Sequence, residues 1–125
     1  MTRRILYVMV MLLTVLTAGA AYTVKQIPNV HLSSRTRYVS NPDGILSDAA
    51  VERLDTMLSR VWNTSSAEVV VVAVDDIDPD SDIQEFATDL FMEWGIGKKD
   101  KDNGLLVLIV KNQRQAVIRT GYGIE

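Results

Sequence analysis

The stretch W-G-I-G-K-K-D-K-D-N-G-L-L-V-L-I-V-K-N-Q-R-Q-A-V-I-R-T-G-Y-G-I-E, residues 94–125, decides the fold. Gly95 and Gly97 end a helix, and a charged loop, residues 98–103, leads to Gly104. The continuous apolar run 105–110, bounded by turn residues, reads as a strand buried on both faces. The polar tetrapeptide 111–114 then reverses the chain into 115–120, which makes an antiparallel hairpin. That hairpin returns Gly121, Tyr122, Gly123 and Glu125 to the pole where Asp102, Asn103 and Gly104 lie. An acidic loop and a glycine-rich turn therefore meet at one end of a sheet, and they form the first candidate site.

Upstream, E-V-V-V-V-A-V at residues 68–74 is a second buried-strand signal. Between the two runs, Ile83, Phe86, Ala87, Leu90, Phe91 and Trp94 trace one helical face. Asp82 is its cap, with Glu85 three residues on in the manner of a capping box. Earlier still, Val51, Leu54, Met57, Leu58, Val61 and Trp62 recur at helical steps over residues 48–62. Ser47 caps that helix and Asp48 suits its positive end. Asn63, Thr64, Ser65 and Ser66 are expected to break it, and Trp62 reads as core. Tyr38-Val39-Ser40 is a weak first strand, closed by the turn signal Asn41-Pro42-Asp43-Gly44.

The order is β-α-β-α-β-β. Strand 68–74, its crossover helix and strand 105–110 should form a right-handed parallel unit, with 115–120 as the antiparallel neighbour. Two amphipathic helices need sheet faces to cover. The expected fold is α/β, a layered mixed sheet with helices on both faces.

The N-terminus reads differently. Arg3 and Arg4 precede an apolar run, residues 5–16, and Ala18-Gly19-Ala20 follows. This is the pattern of a secretory signal peptide, residues 1–20, cleaved after Ala20. The competing reading is an uncleaved anchor through residues 5–22, since about 18 apolar residues barely span a bilayer. Either way the domain is expected to be exported, periplasmic or otherwise extracytoplasmic. Residues 21–37, with Pro28, Asn29, Ser33 and Ser34, read as an extended linker. His31, the chain's single histidine, lies there and reads as solvated rather than as a base or ligand. Residues 38–125 then form one domain, consistent with a length of 125 residues.

Composition narrows the chemistry. The chain has no cysteine, which excludes disulfides, thiol catalysis and thiolate zinc sites. Its net charge is −3, and loss of Arg3 and Arg4 on cleavage would make it more acidic, so no nucleic-acid partner is indicated. Without a core histidine no Ser-His-Asp set is available. Gly95-Ile96-Gly97-Lys98 follows a helix, and Lys98 is not followed by Ser or Thr, so it is no phosphate loop.

Two acidic groups remain. Asp75, Asp76, Asp78, Asp80 and Asp82 follow the C-terminal end of a parallel strand, the usual ligand edge of an α/β sheet, and Asp43 should share that edge. Oxygen ligands in an irregular loop suit calcium; the competing reading is a solvated loop with Asp82 as a cap. The second group is Asp100, Asp102 and Asn103, with Glu125 expected nearby. Its competing reading is a turn at Asn103-Gly104 with Lys98, Lys99 and Lys101 neutralising the aspartates. Parallel strands place the two groups at opposite poles. The metal candidates are thus Asp75, Asp76, Asp102, Asn103 and Glu125, with Gly104, Gly121, Tyr122 and Gly123 beside the latter group.

Several motifs taken together are similar to a known family. N-P-D-G-I-L-S, the V-V-V-V strand, F-A-T-D-L-F-M-E-W-G-I-G, K-D-N-G-L-L-V-L-I-V and I-R-T-G-Y-G-I-E occur in the order in which they stand in the TPM domain, and residues 38–125 resemble that domain. The resemblance implies a sheet with helices on both sides. It also implies divalent-ion binding, calcium among them, in some members, and acid phosphatase activity in some plant members. Bacterial members are exported or membrane-tethered. Members continue beyond G-Y-G-x-E, so the resemblance implies a domain incomplete at its C-terminus.

Two functions are therefore expected. One is a calcium-binding accessory or interaction module of a membrane or envelope complex. The other is a metal-dependent acid phosphatase, in which an ion polarises a phosphoryl oxygen and activates water. Neither the partner nor the oligomeric state is legible.

Overall fold

A computed structural model describes residues 21–97 and 102–121. The signal-peptide reading of residues 1–20, the loop 98–101 and residues 122–125 lie outside the described residues.

The centre is a four-stranded mixed sheet of β2 (Val39–Ser40), β3 (Glu68–Val74), β5 (Gly104–Val110) and β6 (Gln115–Thr120), in that spatial order. Strands β2, β3 and β5 are parallel, and β6 is antiparallel to β5. Glu68 pairs with Gly104 and Val74 with Val110, so both apolar runs start at one pole and end at the other.

Helix α2 (Asp48–Ser65) lies on one face and α3 (Ile83–Trp94) on the other. The α3 face carries the larger core: Val70, Val72, Val74, Leu106, Leu108 and Val110 from the sheet meet Phe86, Ala87 and Leu90. On the α2 face Val39, Val71 and Leu58 form a smaller cluster with Tyr38. The helices are capped as the sequence requires. The Ser47 side chain accepts from the Ala50 N–H at 3.1 Å, and Asp82 accepts from the Glu85 N–H at 3.4 Å. Gly95, with φ of 58°, closes α3 in the left-handed region.

Three expectations are corrected. First, α2 does not break at Asn63 but runs through Ser65. The Thr64 and Ser65 hydroxyls turn back onto the Arg60 and Val61 carbonyls, which satisfies them within the helix. Second, β5 is not buried evenly. Leu106, Leu108 and Val110 are fully covered, whereas Leu105, Val107 and Ile109 are half-buried. Helix α2 packs on β2 and β3 and leaves the β5–β6 end of that face thinly covered, with Ile118 exposed.

Third, residues 21–37 are not an extended linker. β1 (Ala21–Tyr22) pairs in parallel with β4 (Asp76–Ile77). A 3-10 turn (Val24–Gln26) and the short helix α1 (Val30–Ser33) follow. Ile27 is buried in the α3-side core, and Tyr22 and Val24 pack against it. The buried Ser40 hydroxyl donates to the Pro28 carbonyl at 2.7 Å. Burial of these apolar groups, together with that hydrogen bond, outweighs the local turn composition. Among the described residues no helix is long and apolar enough to cross a membrane.

Candidate functional site

The described metal candidates of the two acidic groups, Asp75 and Asp76 in one and Asp102 and Asn103 in the other, occupy opposite poles. Six strand steps separate Glu68 from Val74, about 20 Å, and the groups sit at the two ends of that span.

At the strand-end pole, Asp75 follows β3 directly and Asp76 opens β4. The Asp43 carboxylate is the hub. Its Oδ2 accepts from the Asp75 N–H at 2.9 Å, and its Oδ1 accepts from the Tyr22 hydroxyl at 2.8 Å. Asp43 thus joins this edge as expected. Asp75 and Asp76 are both half-buried. Asp76 Oδ1 accepts from the Ile77 N–H at 2.9 Å and from Gln113 Nε2 at 3.4 Å. The Asp75 carbonyl accepts from the Asn112 N–H at 2.9 Å, which ties the hairpin turn to this corner. Asp78 accepts from the Asp80 N–H and Asp82 caps α3, so these two serve local structure. The negative field of the corner is felt by Tyr22. Burial, then the bond to Asp43, then the charges of Asp43 and Asp75 push its hydroxyl up to about 12.

At the strand-start pole, Asp102 is exposed, with φ of 48°. The Asn103 carbonyl accepts from the Glu68 N–H at 3.0 Å, and its side-chain amide donates to the carbonyl of Ser66, the residue that caps α2. Asn103 therefore clamps the helix end to the start of β5. Gly104 is buried, and its carbonyl accepts from the Gly121 N–H at 2.9 Å. A Cβ on Gly104 would lie 2.9 Å from the Gly97 nitrogen and closer still to the Ile96 carbonyl. A Cβ on Gly121 would strike the Asp102 carbonyl. The glycines permit three backbone segments to pack without side chains between them. Asp100, Tyr122, Gly123 and Glu125 lie outside the described residues. Among the described residues, no three His, Asp or Glu side chains are gathered closely enough to hold a metal ion.

The sequence reading missed a third feature, a cavity of about 300 Å³ at the strand-start pole. Both helices run back toward this pole in a β-α-β arrangement. α2 brings Trp62 in its last turn, and α3 ends on Trp94; both residues line the cavity. Glu68, the first residue of β3, forms part of its wall, with a side chain only 18% exposed. Its Oε2 accepts from the Gly97 N–H at 2.6 Å. His31 on α1 completes the wall, its ring centroid 4.7 Å from that of Tyr38. The Tyr38 hydroxyl is also raised, by burial first; a Ser59 hydrogen bond works against that. The parallel topology could have placed Trp94 beside Glu68. No local signal places His31 there.

The TPM domain matches residues 39–125. No protein of curated function matches the chain. Among solved structures, the solution NMR structure of the N-terminal domain of a protein from P. gingivalis superposes with a TM-score of 0.77 at 34% identity, covering 85% of this chain and 67% of that one. The N-terminal domain of the cg2496 protein from Corynebacterium glutamicum gives a TM-score of 0.60 at 17% identity, covering 82% of this chain and 63% of that one, a likeness of fold alone. This chain thus spans about two thirds of each. The domain match takes in both poles. The chain belongs to the TPM domain family.

Proposed function

We propose that this chain is an extracytoplasmic accessory module of the cell envelope, an interaction domain whose strand-end pole takes up calcium or another divalent cation. One observation carries the ion reading: the half-buried carboxylates of Asp43, Asp75 and Asp76 share one corner, where Asp43 accepts from the Tyr22 hydroxyl and the Asp75 N–H. Hard cations prefer such oxygen ligands. Each Asp43 oxygen already accepts one hydrogen bond, and a carboxylate oxygen has capacity for a further partner. The corner is a region of attraction rather than a closed cage, in keeping with the ungathered side chains. The ion there would neutralise and tighten the edge. The signal-peptide pattern of the sequence at residues 1–20 supports the extracytoplasmic placement, and the family supports the module.

Thermal unfolding in EDTA and then in millimolar calcium tests this. At ten times Kd, linkage predicts a stabilisation of about 1.4 kcal/mol, a rise of several degrees for a domain of this size. Asp75→Asn combined with Asp76→Asn should remove the rise, while Asp102→Asn should leave it. No calcium-dependent rise in the unsubstituted chain would defeat the ion reading. Metal-dependent turnover of a phosphomonoester, lost in the same variants, would replace the module by a phosphatase.

A further inference from the structure

We propose that the cavity between the C-terminal ends of α2 and α3 is a binding site for a single primary ammonium group. The argument starts from hydrogen positions. His31 Nδ1 lies 3.1 Å from the Arg37 carbonyl oxygen. A carbonyl only accepts, so Nδ1 carries a hydrogen, and whenever the ring is uncharged Nε2 is an acceptor. Nε2 lies 4.0 Å from Glu68 Oε1. In that form the two atoms are both acceptors and cannot bond each other, whereas a protonated ring would pair with Glu68 itself. One ligand atom about 2.8 Å from each would see them at an angle of about 90°. Such an atom must donate two hydrogens at once. An ammonium does so; a carboxylate or a phosphate cannot.

The walls favour the cation over water. Trp62 and Trp94 both line the cavity, and indole faces attract cations more strongly than other aromatic faces do. Two helices also end there, and the C-terminal end of a helix carries partial negative charge. Neither α2 nor α3 has a basic residue in its last turn to offset that charge. Glu68 adds a full negative charge that is mostly shielded from water. Arg35, exposed at the rim, disfavours a second positive charge and selects a monoamine over a polyamine. The same chemistry is offered by a free alkylamine and by a lysine side chain of another protein.

The chain has two tryptophans and both line this cavity, so intrinsic fluorescence reports on it directly. Butylamine and the amide of Nα-acetyl-lysine are titrated into the full chain, with butyltrimethylammonium as the cation that has no hydrogen to donate. A saturable change is expected with the primary amines, and about tenfold weaker binding of the quaternary ion. Tighter binding of the lysine derivative would identify a protein ligand, and tighter binding of butylamine a free amine. Glu68→Gln should weaken the primary amine about tenfold or more. Because Glu68 also holds the Gly97 N–H, His31→Ala, on a solvent-facing helix, provides a second variant with the same expected loss. Quaternary binding equal to primary, or no loss in either variant, overturns the proposal.

Discussion

The two poles of the sheet use their polar residues in opposite ways. At the strand-start pole three motif glycines, Gly97, Gly104 and Gly121, are sites of close backbone approach, and the Asn103 side-chain amide bonds a main-chain carbonyl at the end of α2. At the strand-end pole the side chains do the holding, as Asp43 gathers the Asp75 N–H and the Tyr22 hydroxyl. The difference teaches that a motif can mark where backbones must touch rather than where a ligand binds. The pocket at the strand-start pole is built by other residues, His31, Glu68, Trp62 and Trp94.

The hardest test of this contrast is Gly104→Ala. The added methyl would press on the Ile96 carbonyl and on Gly97, both main-chain groups that cannot rotate away. A loss of about 3 kcal/mol is expected, the upper range for overpacking, measured as a fall in the urea midpoint. Wild-type stability in that variant would show that the glycines are not close-packed by necessity, and the distinction between the poles would fail.

Asp43→Ala comes next. It removes the acceptor for a half-buried N–H and a half-buried hydroxyl, and a loss of about 2 kcal/mol is expected. The same residue sharpens the contrast through pH. Tyr22 ionises near 12 in the folded chain against an ordinary value of 10, so folding favours its neutral form. That contribution is complete below pH 10 and declines as pH rises through 12. In Asp43→Asn, absorbance titration should find Tyr22 ionising earlier, yet still above 10, since burial is the largest cause of the shift. An unchanged titration would remove Asp43 as the hub of this pole.

Much of this architecture was legible from residue types alone. The period of Ile83, Phe86, Leu90 and Trp94, and the apolar runs of β3 and β5, placed the helices and the parallel pair, and parallel strands then separated the two acidic groups. Other features were hidden for physical reasons. A run such as L-L-V-L-I-V reads the same whether one face or both are covered, so the thin cover over Leu105, Val107 and Ile109 left no mark. Tyr22, Val24 and Ile27 follow neither a helical nor a strand period, because they pack from a turn and a two-residue bridge. The nearness of His31 to Glu68 depends on how that segment docks, a tertiary fact with no local signature.

The smallest expected effect has the opposite sign. Ser66 caps α2 with φ of 60° and ψ of 13°, a left-handed conformation that disfavours any residue with a Cβ. Its carbonyl, not its side chain, receives the Asn103 amide, and glycine keeps that carbonyl. Ser66→Gly should therefore stabilise the chain by about 0.5 kcal/mol, once the greater freedom of glycine in the unfolded chain is set against the relief. Equilibrium urea unfolding would show it as a small rise in midpoint with no change in slope. If Ser66→Gly instead weakens the fold, the hydroxyl has a role in holding this pole beside those of the Asn103 amide and the Glu68 carboxylate.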